Sequence, residues 1–148
     1  MQKTHKKINL EFVDEKFECD NEKKTVKCTL IYKPHIKEFA ENYGRPSDKI
    51  MSAYPKMCRG LKEAFDTNLF VTTGVAKCAE NDVFDFEVGK EIARFRARSR
   101  AEKKYNNLLF SYFRLMMDTA DQIDKALAQS DMSIEFNKRF AKELMKDQ

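Results

Sequence analysis

Alternating apolar and polar positions mark the first part of the chain. "KINLEFVDEKFEC" places Ile8, Leu10 and Phe12 at every second residue, and "KKTVKCTLIYK" does the same with Val26, Cys28 and Leu30. A period of two belongs to a half-buried strand, and the polar "DNEKK" between the runs supplies turn residues, so a β-hairpin beginning near Ile8 is predicted. Pro34 ends the second strand, since it has no N–H to give a ladder. In "HIKEFAENYG" the period changes, with Ile36, Phe39, Ala40 and Tyr43 at helical intervals before Gly44 stops the helix. Residues 45–66 carry mixed signals: Ser47 can cap a helix, while "MCRGLKEAF" suits a strand or a helical turn. "NLFVTTGVAKCA" is β-branched and aromatic, which predicts a strand over residues 68–78. Gly74 within it marks a bulge or a close backbone approach.

A polar loop with Asp82 or Asp85 as helix cap leads into "KEIARFRARSRAEKK", which sets arginines at 94, 96, 98 and 100. Alternation fits a strand, yet Ala93, Ala97, Ala101, Glu91 and Glu102 are good helix formers. Val88, Ile92, Phe95 and Ser99 also form a stripe at 4-3-4 spacing, so residues 86 to about 104 are predicted as helix packed through that stripe. Residues two apart on a helix point about 200° from each other. The cations therefore split into two rows, Lys90, Arg94 and Arg98 on one flank and Arg96, Arg100 and Lys104 on the other. Further on, Tyr105, Leu109, Tyr112, Met116, Ala120, Ile123 and Leu127 repeat at threes and fours, a quarter turn from the first stripe. Near Asn106 and Asn107 either the helix breaks or one long helix serves its own sheet first and another helix next.

These elements predict an α+β fold, a small antiparallel sheet of about three strands on a long C-terminal helical region. The 148 residues suit one domain, with 1–104 as sheet plus basic helix and 105–148 as a helical extension. Tyr105, Leu109, Tyr112, Met116 and Ile123 offer more apolar surface than one small sheet covers, which points to a homo-oligomer interface. The alternative is an internal core closed by the last helix through Ile134, Phe136, Phe140 and Leu144.

Charge sharpens the picture. The chain carries a net +4, while residues 90–104 alone hold seven Lys or Arg against two Glu, or +5, so the remainder is slightly acidic. Such a concentration suits a multiply charged anion. Arginines at this spacing also pair with neighbouring acids, and Glu11, Asp14, Glu15 and Glu18 of the hairpin are available; solvated or internally paired rows, phosphate binding and a protein interface all remain open. Cys19, Cys28, Cys58 and Cys78 lie far apart without a C-x-x-C pair, and only His5 and His35 offer imidazole. Free thiols in a reducing compartment, no metal and no cofactor are therefore expected. No secretory leader and no run of eighteen apolar residues is visible, which suggests a cytoplasmic protein without a membrane partner. There is no glycine-rich phosphate loop, G-x-S-x-G elbow or H-E-x-x-H, and two histidines do not make a relay, so no catalytic residues are assigned. The cluster Glu80, Asp82, Asp85 and Glu87 precedes a helix, where capping explains it better than Mg²⁺.

The segment "VTTGVAKCAENDVFDFEVGKEIARFRARSRA" resembles a pattern of small proteins of bacteria and their phages. Its elements here are Gly74, Ala76 and Cys78; then Asp82, Phe84 and Asp85; then Gly89, Lys90, Ile92, Ala93, Arg96 and Ala97. A related bacterial group has a fold like the double-stranded-RNA-binding domain. The resemblance implies a three-stranded sheet followed by a helix whose basic start, Lys90, Arg94, Arg96 and Arg98 here, clamps phosphates. This chain departs from that pattern: where that domain has a helix before its sheet, the sheet here is expected to begin near Ile8, and residues 34–66 look inserted. The resemblance and the charge together imply a non-catalytic phage-type accessory protein, acting in the host cytoplasm, that sequesters a nucleotide signal of host immunity. Lys90, Arg94, Arg96, Arg98 and Arg100 are the expected phosphate ligands, with Phe70 or Phe84 stacking on a base. A nucleic-acid binder and an inhibitor of a host defence nuclease are the alternatives.

Overall fold

The computed structural model describes residues 10–147, so Ile8 and His5 lie outside the described residues. Strands β1 (Glu11–Asp20), β2 (Thr25–Lys33) and β3 (Phe70–Lys77) form one antiparallel sheet in the order β1-β2-β3. Helices α1 (Ile36–Tyr43), α2 (Asp48–Ala53) and α3 (Pro55–Asp66) lie between β2 and β3, and α4 (Phe86–Lys146) runs to the end. This is the expected α+β arrangement of a three-stranded antiparallel sheet and a long C-terminal helix. The mixed stretch 45–66 resolves as two helices, α2 capped by Ser47, whose Oγ accepts from Ile50 N, and α3 opening on Pro55 at its first turn.

The central strand carries the core: Val26, Cys28, Leu30 and Tyr32 all point to the helix face and are buried. On β1 a bulge at Val13 changes the parity, so that Phe12 before it and Glu15 and Phe17 after it share the helix side. On β3 the inward positions include Phe70, Gly74 and Ala76. Gly74 is where α4 comes closest: a Cβ there would stand 2.2 Å from Ala93 O and 2.4 Å from Ala97 N. A backbone passing that near tolerates only small residues, and Ala93, Ala97 and Ala101 are fully buried on the crossing face. The expected close approach at Gly74 is thus present.

The expected packing stripe is not. Val88, Ile92 and Phe95 are 55%, 41% and 67% exposed, and Ser99 is exposed too. Bulky side chains cannot fit against a sheet that the helix meets at van der Waals contact with Gly74; the alanines take the inner face and turn the larger residues outward.

No break occurs at Asn106 and Asn107, both exposed on a continuous helix. After the sheet, α4 packs on α1–α3 through Tyr105, Leu108, Tyr112 and Leu115, with Met51, Cys58, Leu61 and Phe65 in the same core. The Tyr112 hydroxyl donates to Gly44 O at 2.5 Å, and its ring meets Phe39 and Phe65 edge-on. Among the described residues none after Leu115 is buried. The last helix does not fold back to close the core: Ile134, Phe136, Phe140 and Leu144 are all exposed on the same continuous α4. Of the anticipated interface residues, Tyr105 and Tyr112 are buried within this chain, Leu109 and Met116 are partly buried, and Ile123 is 64% exposed.

Candidate anion-binding surface on helix α4

Asp85 starts α4 by accepting from Glu87 N and Val88 N through Oδ1, which satisfies two amides that have no partner within the helix. The anticipated cap is therefore Asp85, while the Asp82 backbone carbonyl accepts from Lys24 Nζ and the Cys78 thiol.

The two basic rows then diverge in environment. Lys90, Arg94 and Arg98 face β1. Arg94 Nε donates to Glu15 Oε2 at 2.9 Å, and Arg98 Nη2 donates to Glu15 Oε1 at 2.9 Å. Arg94 also holds Glu91 one turn back. Aromatic rings complete the contact, with Lys90 Nζ 4.9 Å and Arg94 Cζ 5.3 Å from the Phe17 centroid, and Arg98 Cζ 4.9 Å from that of Phe12. Glu15 stands on the helix face of the sheet with its side chain 20% exposed. Burial raises its carboxyl, but hydrogen bonds from Arg94 and Arg98, reinforced by their charges, outweigh that and hold it below the usual carboxylate range. The same bonds push the Arg94 guanidinium higher still. One of the four hairpin acids thus fixes two of the alternating arginines, and this row is a clamp between α4 and the sheet.

Arg96 and Arg100 face the opposite flank, over edge strand β3. Arg96 Nη1 donates to Val75 O at 2.6 Å and Arg100 Nη1 to Thr73 O at 2.8 Å. Cys78 N bonds to Lys24 O, so even-numbered residues of β3 pair with β2 and the carbonyls of Thr73 and Val75 point to the free edge. The two arginines cover acceptors that another strand would otherwise find. Both side chains stay exposed, and neither forms an ion pair among the described residues. A guanidinium has five N–H donors, so one bond to a carbonyl leaves most of its capacity unspent. Lys103 and Lys104 continue the row, both exposed, and the Lys104 ammonium lies over Gly60 of α3. Sequence reasoning placed Lys104 in this row and gave Lys103 no role; its position three residues beyond Arg100 was the available signal.

The aromatic candidates separate as well. Phe70 is 7% exposed and stacks on Tyr32 with centroids 5.8 Å apart, which corrects its assignment as a base-stacking residue: its faces are used by the core. Phe84 is half-buried and lines a cleft of about 570 Å³ with Cys78, Val88, Gly89 and Ile92, away from the guanidinium groups. Basic row and aromatic cleft therefore do not form one pocket.

All four cysteines are free. Among the described residues no helix is long and apolar enough to cross a membrane. Comparison of the chain with family models, with curated proteins and with solved structures finds no match.

Proposed function

We propose that the protein is a non-catalytic binder of a phosphate-bearing ligand, and that the β3-side row of Arg96, Arg100, Lys103 and Lys104 makes the contact. The observation that carries this reading is the difference between the rows: Arg94 and Arg98 are ion-paired, both with Glu15 and Arg94 with Glu91 as well, whereas Arg96 and Arg100 are held in place by carbonyls that neutralise nothing. Guanidinium groups fixed by one bond and open on the others suit bidentate capture of phosphate oxygens. An exposed row along a helix, rather than an enclosed pocket with a stacking ring, favours a nucleic-acid backbone over a single nucleotide. A place among phage-type proteins that counter host defence is supported only by the sequence resemblance.

Fluorescence anisotropy with a labelled duplex, read across a salt series, tests this. The affinity falls with rising salt, and the Arg96→Ala/Arg100→Ala variant loses binding while its logarithmic salt slope drops by about 2, one contact per arginine removed. A parent that binds neither duplex, single strand nor mononucleotide, or a variant that binds as the parent does, contradicts it.

A further inference from the structure

The sheet and helices α1–α3, the head of the molecule, bury no described residue of α4 beyond Leu115, yet the C-terminal half of that helix is strongly patterned. Stepping from Phe113 by sevens, the chain meets Ala120, Leu127, Ile134 and Ala141. Three residues after each of these, and before the first at Leu109, stand Met116, Ile123, Ser130, Asn137 and Leu144. The repeat therefore alternates threes and fours without interruption from Leu109 to Leu144, and nine of its eleven positions are apolar, the exceptions being Ser130 and Asn137. Over the sheet the buried face of α4 steps by fours, Ala93, Ala97, Ala101 and Tyr105; against α1–α3 it continues at threes and fours through Leu108 and Tyr112 and stops, among the described residues, at Leu115. A strict seven-residue repeat has a period of 3.5, which keeps one seam facing another supercoiled helix; it is not the 3.6 period of a helix lying on a globular body.

The seam is open. Phe113, Ile123, Leu127 and Ile134 are 59%, 64%, 58% and 48% exposed. It runs about a quarter turn from the buried stripe of Tyr105, Leu108, Tyr112 and Leu115, so a second helix along it passes beside the head. At its upper end Leu109, Phe113 and Met116 join Phe39 and Tyr43 of α1 around an apolar cleft of about 480 Å³. Seam and cleft are thus one continuous surface, and from Met116 to Leu144 it extends about 42 Å at 1.5 Å per residue.

We infer that its occupant is a second copy of this chain, parallel and in register, forming a two-stranded coiled coil with the two heads at the same end. The two polar positions decide the orientation. Ser130 and Asn137 both stand at the second apolar position of the heptad, three residues after Leu127 and Ile134. A parallel pair in register sets each layer against itself, so Asn137 meets Asn137, amide donor to amide oxygen, and Ser130 meets Ser130. An antiparallel pair sets first positions against second ones, and every first position is Phe, Ala, Leu or Ile. Each polar group would then be buried against carbon without a partner. The flanks agree: parallel pairing puts Asp124, Asp131 and Lys138 beside Thr119, Ala126 and Ser133, so no like charges meet.

This assembly stands apart from the phosphate reading and is tested separately. Sedimentation equilibrium of the full chain at tens of micromolar gives twice the 17.4 kDa chain mass. Ile123→Asp/Ile134→Asp raises the dimer dissociation constant at least about 100-fold, since it places charges in the seam. The head's thermal transition persists in that variant, because both residues lie outside the folded core. Under mild oxidation Ser130→Cys yields a disulfide-linked dimer, whereas Lys125→Cys, on the outer face, does not exceed the parent. A parent that sediments as a single chain, or as more than two, overturns the proposal. So does a dimer whose Ser130→Cys variant links no better than Lys125→Cys, because that outcome means another orientation or register.

Discussion

Arg94 with Arg98 and Arg96 with Arg100 are four copies of one side chain within two turns of one helix, yet the two pairs do different work. The first pair meets a carboxylate set among apolar neighbours and becomes part of the fold. The second meets backbone carbonyls at the edge of β3 and keeps its net charge. Residue type and spacing are the same on both flanks; what differs is which strand each flank overhangs. β1 brings Glu15 to the helix face, while β3 brings Gly74, Ala76 and two outward carbonyls. A basic helix therefore cannot be read as a ligand site or as a clamp until the groups beneath each flank are known.

Removing the contact on which both rows depend has the largest effect. Gly74→Ala places a methyl group where Ala93 O and Ala97 N already stand, and helix backbone cannot give way as a flexible side chain does. A loss of at least about 3 kcal/mol is expected, seen as an early denaturation midpoint. Next is Glu15→Gln, which leaves Arg94 and Arg98 facing a neutral amide and costs about 1.5–3 kcal/mol by the same measurement. Its pH signature identifies the cause. The folded Glu15 carboxyl is held low, so the clamp is fully present above the unfolded-chain carboxylate value of about 4.3 and is lost as pH falls through the lower folded value. Thermal melts of the parent should lose this increment on acidification, and those of Glu15→Gln should not.

Arg96→Ala/Arg100→Ala should shift stability by no more than about 1 kcal/mol. Each loses a bond to an exposed carbonyl, and alanine is the better helix former. If this double variant destabilises as much as Glu15→Gln, the two rows are equivalent and the contrast fails. The smallest effect belongs to His35, where Nε2 meets Glu11 and Nδ1 meets Glu38. Burial lowers its pKa, but the hydrogen bonds it donates to Glu38 and Glu11, with their charges, prevail and raise it. Its contribution is full below about 6.5 and fades as pH rises through the raised folded value, opposite in sign to that of Glu15. His35→Gln removes that alkaline drift from the melting curve and leaves the acidic limb unchanged.

Period two in β2, turn residues at "DNEKK", and Ser47 and Asp85 as caps made most of the sheet and the helix starts legible in the sequence. Gly74 was legible too, and it held the key to the misread packing face. Val88, Ile92 and Phe95 give the larger apolar signal and so pass for the packing face, whereas Ala93, Ala97 and Ala101 carry little hydrophobicity. Only together with a glycine on the facing strand do three alanines at steps of four mark a close helix–sheet contact. The continuity of α4 was not legible, because Asn106 and Asn107 resemble a break unless they are known to be exposed. Glu15 stood among four equivalent acids, and the bulge at Val13, which turns it toward the helix, leaves no sequence signature.

Arginine labelling with phenylglyoxal, resolved residue by residue with mass spectrometry, tests the contrast between the rows most directly. In the free protein Arg96 and Arg100 should label faster than Arg94 and Arg98, whose guanidinium groups are paired with Glu15 and lie over the rings of Phe17 and Phe12. Saturating duplex nucleic acid should then suppress labelling at Arg96 and Arg100 and leave Arg94 and Arg98 unchanged. Equal labelling of all four in the free protein, or no protection at Arg96 and Arg100 by the duplex, would contradict the account.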